Sequence, residues 1–227
     1  MISVAIDGPS GAGKSTVAKK TAKLFGFVYV DTGAIYRTIG LAAFNRGIDT
    51  KDREKVIALL PELVIDMRYN ENGEQRMYLS DEDVSGKIRQ PEISMCASNV
   101  SAIPEVRAYL MDMQRNMAKK YDVIMDGRDI GTVILPDADL KIFLTASAQA
   151  RAERRYKELS EKGVETSLEA VLEDMRRRDE QDTNRATAPL AAAPDAVYLD
   201  TSDLSFDESV ATVCKLITDK TGRASKA

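Results

Sequence analysis

The sequence contains no histidine, and only two of its 227 residues are cysteine, Cys96 and Cys214. Without histidine there can be no histidine-ligated metal site, no Ser-His-Asp triad and no Cys-His catalytic pair. Two cysteines outside any CxxC motif form neither a thiolate zinc site nor a disulfide framework, which favours a reducing compartment. The sequence also lacks an apolar run of membrane-spanning length and a signal peptide. We therefore expect a cytoplasmic protein without membrane partners.

An excess of basic charge is missing as well, because 32 lysines and arginines face 36 aspartates and glutamates, a net charge of −4. This balance gives no support to a protein that coats nucleic acid with its whole surface, although a local basic site is compatible with it. Hydrophobic residues make up 44% and charged residues 30% of the chain, which is typical of a soluble globular protein of one or two domains.

Short apolar runs alternate with longer segments of helical periodicity. Strands are predicted over residues 2–7, 27–31, 121–126, 139–144 and 196–200. Helices are predicted over residues 14–25, where Gly26 is the stop signal, and over residues 33–46. Further helices are predicted to begin after an Asp49 or Thr50 cap, at Pro91, at Pro104 and after Ser147. Capping boxes at 166–169 and 205–208 predict the last two helices. This alternation predicts an α/β fold with a five-stranded parallel sheet covered on both faces. An Asn72-Gly73 turn predicts a small antiparallel hairpin, which we interpret as part of an insertion.

The segment from Gly8 to Ser15 matches the phosphate-loop pattern GxxxxGK[ST] in full. It follows a predicted strand and opens a predicted helix, so its backbone N–H groups and the positive helix end can bind the phosphates of a nucleotide. Lys14 is expected to reach the β- and γ-phosphates, and the Ser15 hydroxyl to ligate Mg²⁺. The predicted ATP site comprises Gly8, Pro9, Ser10, Gly11, Ala12, Gly13, Lys14, Ser15 and Thr16. A phosphate loop alone does not distinguish switch GTPases, motor ATPases and kinases, but no guanine-reading NKxD motif occurs.

Two further polar segments follow predicted core strands, at the sheet edge where open α/β folds bind ligands. In the first, residues 31–37, Arg37 can hold a second phosphate, although a capped helix with a solvated arginine fits equally well. In the second, residues 126–129, Asp126 follows a strand as a Walker-B-like acid and can orient Mg²⁺ through water. A polar turn is the alternative interpretation of this second segment.

Arginines recur at helical spacing over residues 151–185. Arg151, Arg154 and Arg155 share one helical face, and Arg178, Asp182 and Arg185 share another. A pair of surface helices joined by salt bridges is one interpretation. The other is a mobile lid that brings arginines over transferring phosphates.

These motifs occur together in one order: the phosphate loop, DTGAIYR at 31–37, DVSGKIR at 83–89, DGRDIGT at 126–132, ARAERRYKEL at 150–159 and RDEQDTNRATAPL at 178–190. In this the chain strongly resembles the bacterial cytidylate kinases, a branch of the nucleoside monophosphate kinases, over nearly its whole length. The insertion at about 61–95 resembles the extra sheet of the long form of that family. Many relatives have Lys-Gly-Thr where this chain has Lys14-Ser15-Thr16, and the change restores a hydroxyl for Mg²⁺.

The resemblance implies a P-loop kinase core, an inserted monophosphate-binding domain and a helical lid. The core would comprise residues 1–33, 101–150 and 186–227, the monophosphate-binding domain 34–100, and the lid 151–185. It also implies the reaction of ATP with CMP or dCMP, with Mg²⁺ as cofactor, small nucleotides as the only partners and a monomeric enzyme.

The resemblance further assigns roles to individual residues. Ser98, Arg107 and Asp129 would read the cytosine; Thr32, Arg37 and Arg128 would hold the CMP phosphate. Arg178 and Asp182 would face the sugar, Arg185 would lie near the ribose or the phosphate, and Tyr36 would complete the CMP site. Lys14, Arg128, Arg154 and Arg155 would be the catalytic residues.

Two alternatives stay open at this stage. One is a kinase for another monophosphate such as UMP, which the base-reading residues disfavour. The other is a nucleotide-dependent RNA-binding or switch protein, against which the acidic net charge and the lack of regular aromatic interleaving among the arginines argue.

Overall fold

The computed structural model describes residues 1–161 and 163–225. Eight strands occur in this part of the chain: β1 Ser3–Asp7, β2 Val28–Asp31, β3 Ile65–Tyr69, β4 Gln75–Leu79, β5 Glu82–Asp83, β6 Val123–Gly127, β7 Leu140–Thr145 and β8 Val197–Asp200. The helices are α1 Lys14–Phe25, α2 Thr32–Asn45, α3 Arg53–Leu59, α4 Pro91–Ser101, α5 Pro104–Lys120, α6 Ala148–Glu161, α7 Leu168–Asn184 and α8 Phe206–Thr221. Short 3₁₀ turns occupy Leu60–Glu62 and Lys87–Arg89, and Ile130–Ile134 forms one π-helical turn.

Five strands form the parallel sheet that the alternating pattern predicts, and the structure gives their order as β2-β6-β1-β7-β8. The central strand β1 pairs with β6 on one side, where Ser3 lies opposite Val123, and with β7 on the other, where Val4 lies opposite Leu140. Val4, Ala5 and Ile6 are fully buried, as expected for a strand covered on both faces. Because all five strands are parallel, their carboxyl ends meet at one edge of the sheet.

The predicted hairpin is present and belongs to a second, antiparallel sheet of β3, β4 and the short β5. Its turn closes when Gly73 N–H donates to the Asn70 carbonyl, and Gly73 has a φ of 72°, which glycine tolerates best. The third strand, β5, is not predicted from the sequence, because two residues are too few to give a periodic signal.

Helix ends agree with the predictions at some positions and correct them at others. Gly26 ends α1 with a φ of 71°, and Ser205 and Glu208 form the predicted capping box of α8. The cap of α3 is Asp52, not Asp49 or Thr50, because the Asp52 side chain accepts the N–H of Lys55. Similarly, Ser167 caps α7, one residue later than the predicted box at 166–169.

Apolar side chains pack both faces of the parallel sheet and form a separate cluster between α2, α4 and the hairpin. Ile35 and Ile39 of α2 are fully buried in that separate cluster. Between α6 and α7 the buried apolar residues that the structure describes are Ala152, Val171 and Met175. Among the residues that the structure describes, no helix is both long and apolar enough to span a bilayer.

Candidate active site

A cavity of about 640 Å³ lies at the carboxyl edge of the parallel sheet, between the phosphate loop and the arginine-rich helices. Nearly all of the predicted site residues line it: Ser10, Gly11, Ala12, Gly13, Lys14, Ser15, Thr16, Thr32, Tyr36, Arg37, Ser98, Arg107, Asp126, Arg128, Asp129, Arg154, Arg155, Arg178, Asp182 and Arg185. Gly8 and Pro9, the first two residues of the loop, are exceptions and do not line the cavity. The structure thus brings together residues that are up to 175 positions apart in the sequence, from Ser10 to Arg185.

The phosphate loop enters the cavity directly from β1. Gly8 has a φ of 149°, and a Cβ atom on it would lie 1.9 Å from the carbonyl oxygen of Leu144, so only glycine fits. The buried Lys14 ammonium donates to the Pro9 carbonyl oxygen at 2.7 Å. Burial, together with the nearby Arg128 guanidinium, lowers the pKa of Lys14. An anion bound in the loop would offset both the burial of Lys14 and its repulsion from Arg128. The Lys14 ammonium is therefore placed to bind a phosphate.

Ser15 and Asp126 form the next contact along the cavity wall. The Ser15 hydroxyl donates to Asp126 Oδ2 at 2.6 Å, and the Tyr29 hydroxyl donates to Oδ1 at 3.0 Å. Burial and the neighbouring Asp31 carboxylate raise the pKa of Asp126. A cation at this point would stabilise the ionised carboxylate, as expected of a Walker-B-like acid.

The second predicted anion site lies where β2 runs into α2. Asp31 caps that helix by accepting the Ala34 N–H at 2.9 Å, and the Thr32 hydroxyl donates to the Asp126 carbonyl at 2.8 Å. Arg37 stands 3.9 Å from Asp31, beyond hydrogen-bond distance, and its side chain is 23% exposed toward the cavity. Its guanidinium donors are therefore available to a ligand, which favours the functional interpretation of Arg37 over a solvated helix arginine.

The far end of the cavity is a network of charged side chains around Asp129. Arg107 and Arg185 both pair with this carboxylate, the latter at 3.3 Å, and Arg107 also lies over the Tyr36 ring at 5.4 Å from its centroid. Arg107 and Asp129 are only 3% and 4% exposed. Buried charges at fixed positions can recognise the hydrogen-bonding edge of a planar base.

Arg128, Arg178 and Asp182 form the middle of the cavity wall. Arg128 donates to Asp182 at 2.9 Å, and Ser98 donates to the other oxygen of Asp182 at 3.0 Å. The buried Nε of Arg178 has no hydrogen-bond partner among the residues that the structure describes. Burial and repulsion from Arg128 and Arg37 lower the pKa of Arg178 to about 10. This concentration of positive charge is costly unless an anion occupies the space between the arginines.

Hydrogen bonds and ion pairs attach the arginine-rich helices α6 and α7 to the phosphate loop and to each other. Arg151 of α6 donates to the Ser10 carbonyl at 2.8 Å and pairs with Asp179 of α7, which in turn accepts the Ser10 N–H at 3.0 Å. Arg154 bonds Thr201, and Arg155 pairs with Glu158 at 2.7 Å. Acidic residues of the same segment thus pair with Arg151 and Arg155, as the interpretation of two helices joined by salt bridges predicts.

Several site residues are missed by the sequence patterns. Asp179 contacts the phosphate loop but lies in a run of charged residues that is indistinguishable from a solvated helix face. Arg89 donates to Asp31 at 3.2 Å, and it occurs in the DVSGKIR segment without a role assigned to it. Asp7, which follows an apolar run directly, accepts two backbone N–H groups of the turn after Asp129. The sequence feature that points to Asp7 is its position as an acid at the end of a predicted strand.

Known proteins with similar sequences share a single description. A family model described as cytidylate kinase matches residues 4–219. A cytidylate kinase from Caldicellulosiruptor bescii is 47% identical over 215 residues, which are 95% of this chain and 95% of that protein. One from Caldanaerobacter subterraneus subsp. tengcongensis is 50% identical over 220 residues, covering 97% and 96% of the two chains. One from Streptococcus pneumoniae is 47% identical over 209 residues, covering 92% and 94%.

Proposed function

Since the chain belongs to the cytidylate kinase family, we propose that it transfers the γ-phosphoryl group of ATP to CMP or dCMP, with ADP and CDP or dCDP as products. The observation that carries the proposal is the order of groups along one cavity. The phosphate loop lies at one end, the Arg37, Arg128 and Arg178 cluster in the middle, and the buried network around Asp129 at the other end. This order matches a donor triphosphate, an acceptor phosphate and a base.

The chemistry needs positioning more than proton transfer. The acceptor is a phosphate oxygen that is already largely ionised at neutral pH, so a general base is unnecessary and a chain without histidine can perform the reaction. Lys14 neutralises the β- and γ-phosphates, while Arg37 and Arg128 hold the acceptor phosphate in line with the γ-phosphate. Arg154 and Arg155, which line the cavity from α6, approach the transferring group from the lid side.

Recognition of the nucleoside falls to the remaining residues. Ser98, Arg107 and Asp129 read the cytosine, Arg178 and Asp182 face the sugar, and Thr32, Tyr36 and Arg185 complete the CMP site. A network of fixed donors and acceptors rejects uracil, because uracil has a carbonyl oxygen where cytosine has an amine.

The proposal includes Mg²⁺ as cofactor, with the Ser15 hydroxyl as protein ligand and Asp126 acting through water. The residues present fit this ion, since the Ser15 hydroxyl and a carboxylate oxygen of the buried Asp126 lie 2.6 Å apart beside the loop, and Mg²⁺ prefers oxygen ligands. Among the described residues no cluster of three or more acidic or cysteine side chains could hold a metal by itself. That suits Mg²⁺, which takes most of its ligands from phosphates and water. When bound, the ion neutralises charge on the phosphates.

The division into a core, a monophosphate-binding domain over 34–100 and a lid over 151–185 is also part of the proposal. Two apolar clusters support it, because one forms around α2, α4 and the hairpin and the other between α6 and α7, although the first also includes Ile103 and, from α5, Val106 and Leu110. We further propose a monomeric enzyme that works in the cytoplasm, where ATP is supplied.

An assay of ADP release tests the proposal. The purified protein would be supplied with ATP and Mg²⁺ and offered CMP, dCMP, UMP and AMP in turn. We expect kcat/KM for CMP or dCMP to exceed that for UMP and AMP by at least about tenfold. A preference for AMP or UMP, or ATP hydrolysis without any acceptor dependence, would overturn the proposal.

A further inference from the structure

Asp7 is a buried carboxylate that the proposed mechanism leaves without a role. It is the last residue of β1, directly before the phosphate loop, and is 4% exposed. It has no ion-pair partner among the described residues, and its two oxygens accept the N–H groups of Ile130 and Gly131, both at 2.7 Å. A buried carboxylate is costly to place for packing alone, so this pair of charge-assisted hydrogen bonds calls for an explanation.

The two N–H groups belong to the start of the π-helical turn Ile130–Ile134, where helical turns have unsatisfied donors. The preceding residue, Asp129, would normally cap such a turn, yet its side chain makes no capping hydrogen bond. Both oxygens of Asp129 are occupied instead by Arg107 and Arg185. Asp7, at the end of β1, thus caps this turn in place of Asp129. The Asp129 carboxylate remains directed into the cavity.

The side chain of Lys141 also lies against this turn. A Cβ atom on Gly131 would lie 3.1 Å from Cδ of Lys141 and 3.4 Å from the Asp7 carboxylate. The Asp129 backbone therefore has little freedom. It lies two residues after the end of β6, and it is followed by the two amides that Asp7 fixes.

We propose that Asp7 is a positioning residue for base recognition, because its carboxylate caps the turn that fixes Asp129 against Arg107 and Arg185. This inference rests on the proposed function, since it concerns how the same enzyme selects its base. Asp7 contacts neither substrate. It acts through the backbone of Ile130 and Gly131, and it links the strand that carries the phosphate loop to the residue that reads the base.

The test compares Asp7→Asn with the wild type. An asparagine keeps the size of the side chain but presents an amide N–H₂ to one of the two N–H groups, so one buried donor loses its acceptor. We expect KM for CMP to rise and the ratio of kcat/KM for CMP to that for UMP to fall about tenfold, while KM for ATP changes less than about twofold. A purely structural role would lower the melting temperature and leave that ratio unchanged.

Asp122→Asn is the matched control, because Asp122 accepts the N–H of Ile2 at 2.7 Å at the opposite end of β1. It makes one such bond, which an asparagine oxygen can retain, and we expect its CMP-to-UMP ratio to equal that of the wild type. If Asp7→Asn does not fold, Gly131→Ala replaces it, since the added methyl group would lie 3.1 Å from Cδ of Lys141 and would crowd the same turn while Asp7 stays. An unchanged ratio in the variant that folds, or an equal rise in KM for ATP and CMP, would overturn the inference. A wild type that does not prefer CMP would instead overturn the proposed function.

Discussion

The side-chain amide of Gln75 pairs with both backbone polar groups of Asp31: its oxygen accepts the Asp31 N–H at 2.7 Å, and its nitrogen donates to the Asp31 carbonyl at 3.1 Å. Gln75 begins β4 of the inserted hairpin, whereas Asp31 ends β2, an edge strand of the parallel sheet. A second contact from the hairpin is made by Tyr69, whose hydroxyl donates to the Tyr29 carbonyl at 2.9 Å. The insertion therefore supports the edge of the sheet where the CMP phosphate is expected to bind.

This relationship predicts the effect of Gln75→Ala. The change leaves the Asp31 N–H and carbonyl without their partner, and we expect about 1–2 kcal/mol lower stability and a several-fold higher KM for CMP. Arg76→Ala is the matched control, because Arg76 is the adjacent residue of β4 and makes only a loose contact with Asp83 at 3.7 Å. Chemical denaturation and steady-state kinetics measure both effects. Equal KM values in the two variants would contradict the prediction.

Lys14→Ala should abolish phosphoryl transfer while the fold is kept. Its charge serves bound phosphates, and the loss of such stabilisation typically lowers kcat by about 10²-fold or more. Lys19→Ala, one turn further along α1, removes an exposed lysine paired with Glu74 and should leave kcat unchanged. Near-normal turnover of the Lys14 variant would show that the loop does not hold the reacting phosphates.

Base reading and phosphate binding should separate in variants of two adjacent residues. Asp129→Asn removes the charge that holds Arg107 and Arg185, so we expect kcat/KM for CMP to fall. The ratio of kcat/KM for CMP to that for UMP should fall by roughly tenfold. Arg128→Ala should weaken both substrates alike, because both carry the same phosphate. An equal loss for CMP and UMP in the Asp129 variant would indicate a role in phosphate or metal positioning instead.

The segment 151–185 should become more protected when both nucleotides bind. Arg154, Arg155 and Arg178 line the cavity, and phosphates between them and the loop would hold α6 and α7 in place. Hydrogen exchange with CMP and an unreactive ATP analogue should therefore slow in these helices, with α3, outside the cavity lining, as the internal control. Unchanged exchange in α6 and α7 would argue against a lid.

The buried Asp7 carboxylate also predicts a pH dependence of stability. Burial raises the pKa of Asp7 to about 6, although the hydrogen bonds from Gly131 and Ile130 oppose the shift. In the unfolded chain the pKa is near 3.8, so between about pH 4 and 6 the folded state binds more protons and stability falls as the pH rises. The difference in unfolding free energy between the wild type and Asp7→Asn should therefore decrease by on the order of 2–3 kcal/mol over this range and stay constant above it. A constant difference from pH 4 to 7 would show that Asp7 ionises normally.

Local signals in the sequence predict much of this molecule. The phosphate loop fixes the strand before it and the helix after it, and Gly26 marks the end of that helix because a left-handed residue there suits glycine. Family motifs then locate nearly the whole cavity lining. The caps of α3 and α7 are predicted less well, because several capping residues stand within a few positions and their local energies are similar.

Long-range pairing is the part that local patterns do not determine. The order of the strands depends on contacts such as Val4 with Leu140, and Gln75 binds Asp31 only after the hairpin has docked. No motif assigns a role to Asp7 or Asp179. Their hydrogen-bond partners are backbone amides far away in the sequence, and only the folded structure shows that these amides lie beside them.

The central position of β1 has a consequence for the chain as it leaves the ribosome. Neither neighbour of β1 is made until Val123 and Leu140 have been added, and β2 likewise depends on β6. More than half of the protein is thus synthesised while the apolar residues Val4, Ala5 and Ile6 have no neighbouring strand. Long-range strand pairing of this kind slows folding and leaves apolar surface exposed to aggregation. The nucleotide site is therefore completed late in translation, because a product that terminates before Val123 lacks β6 and the cavity residues Arg128 and Asp129.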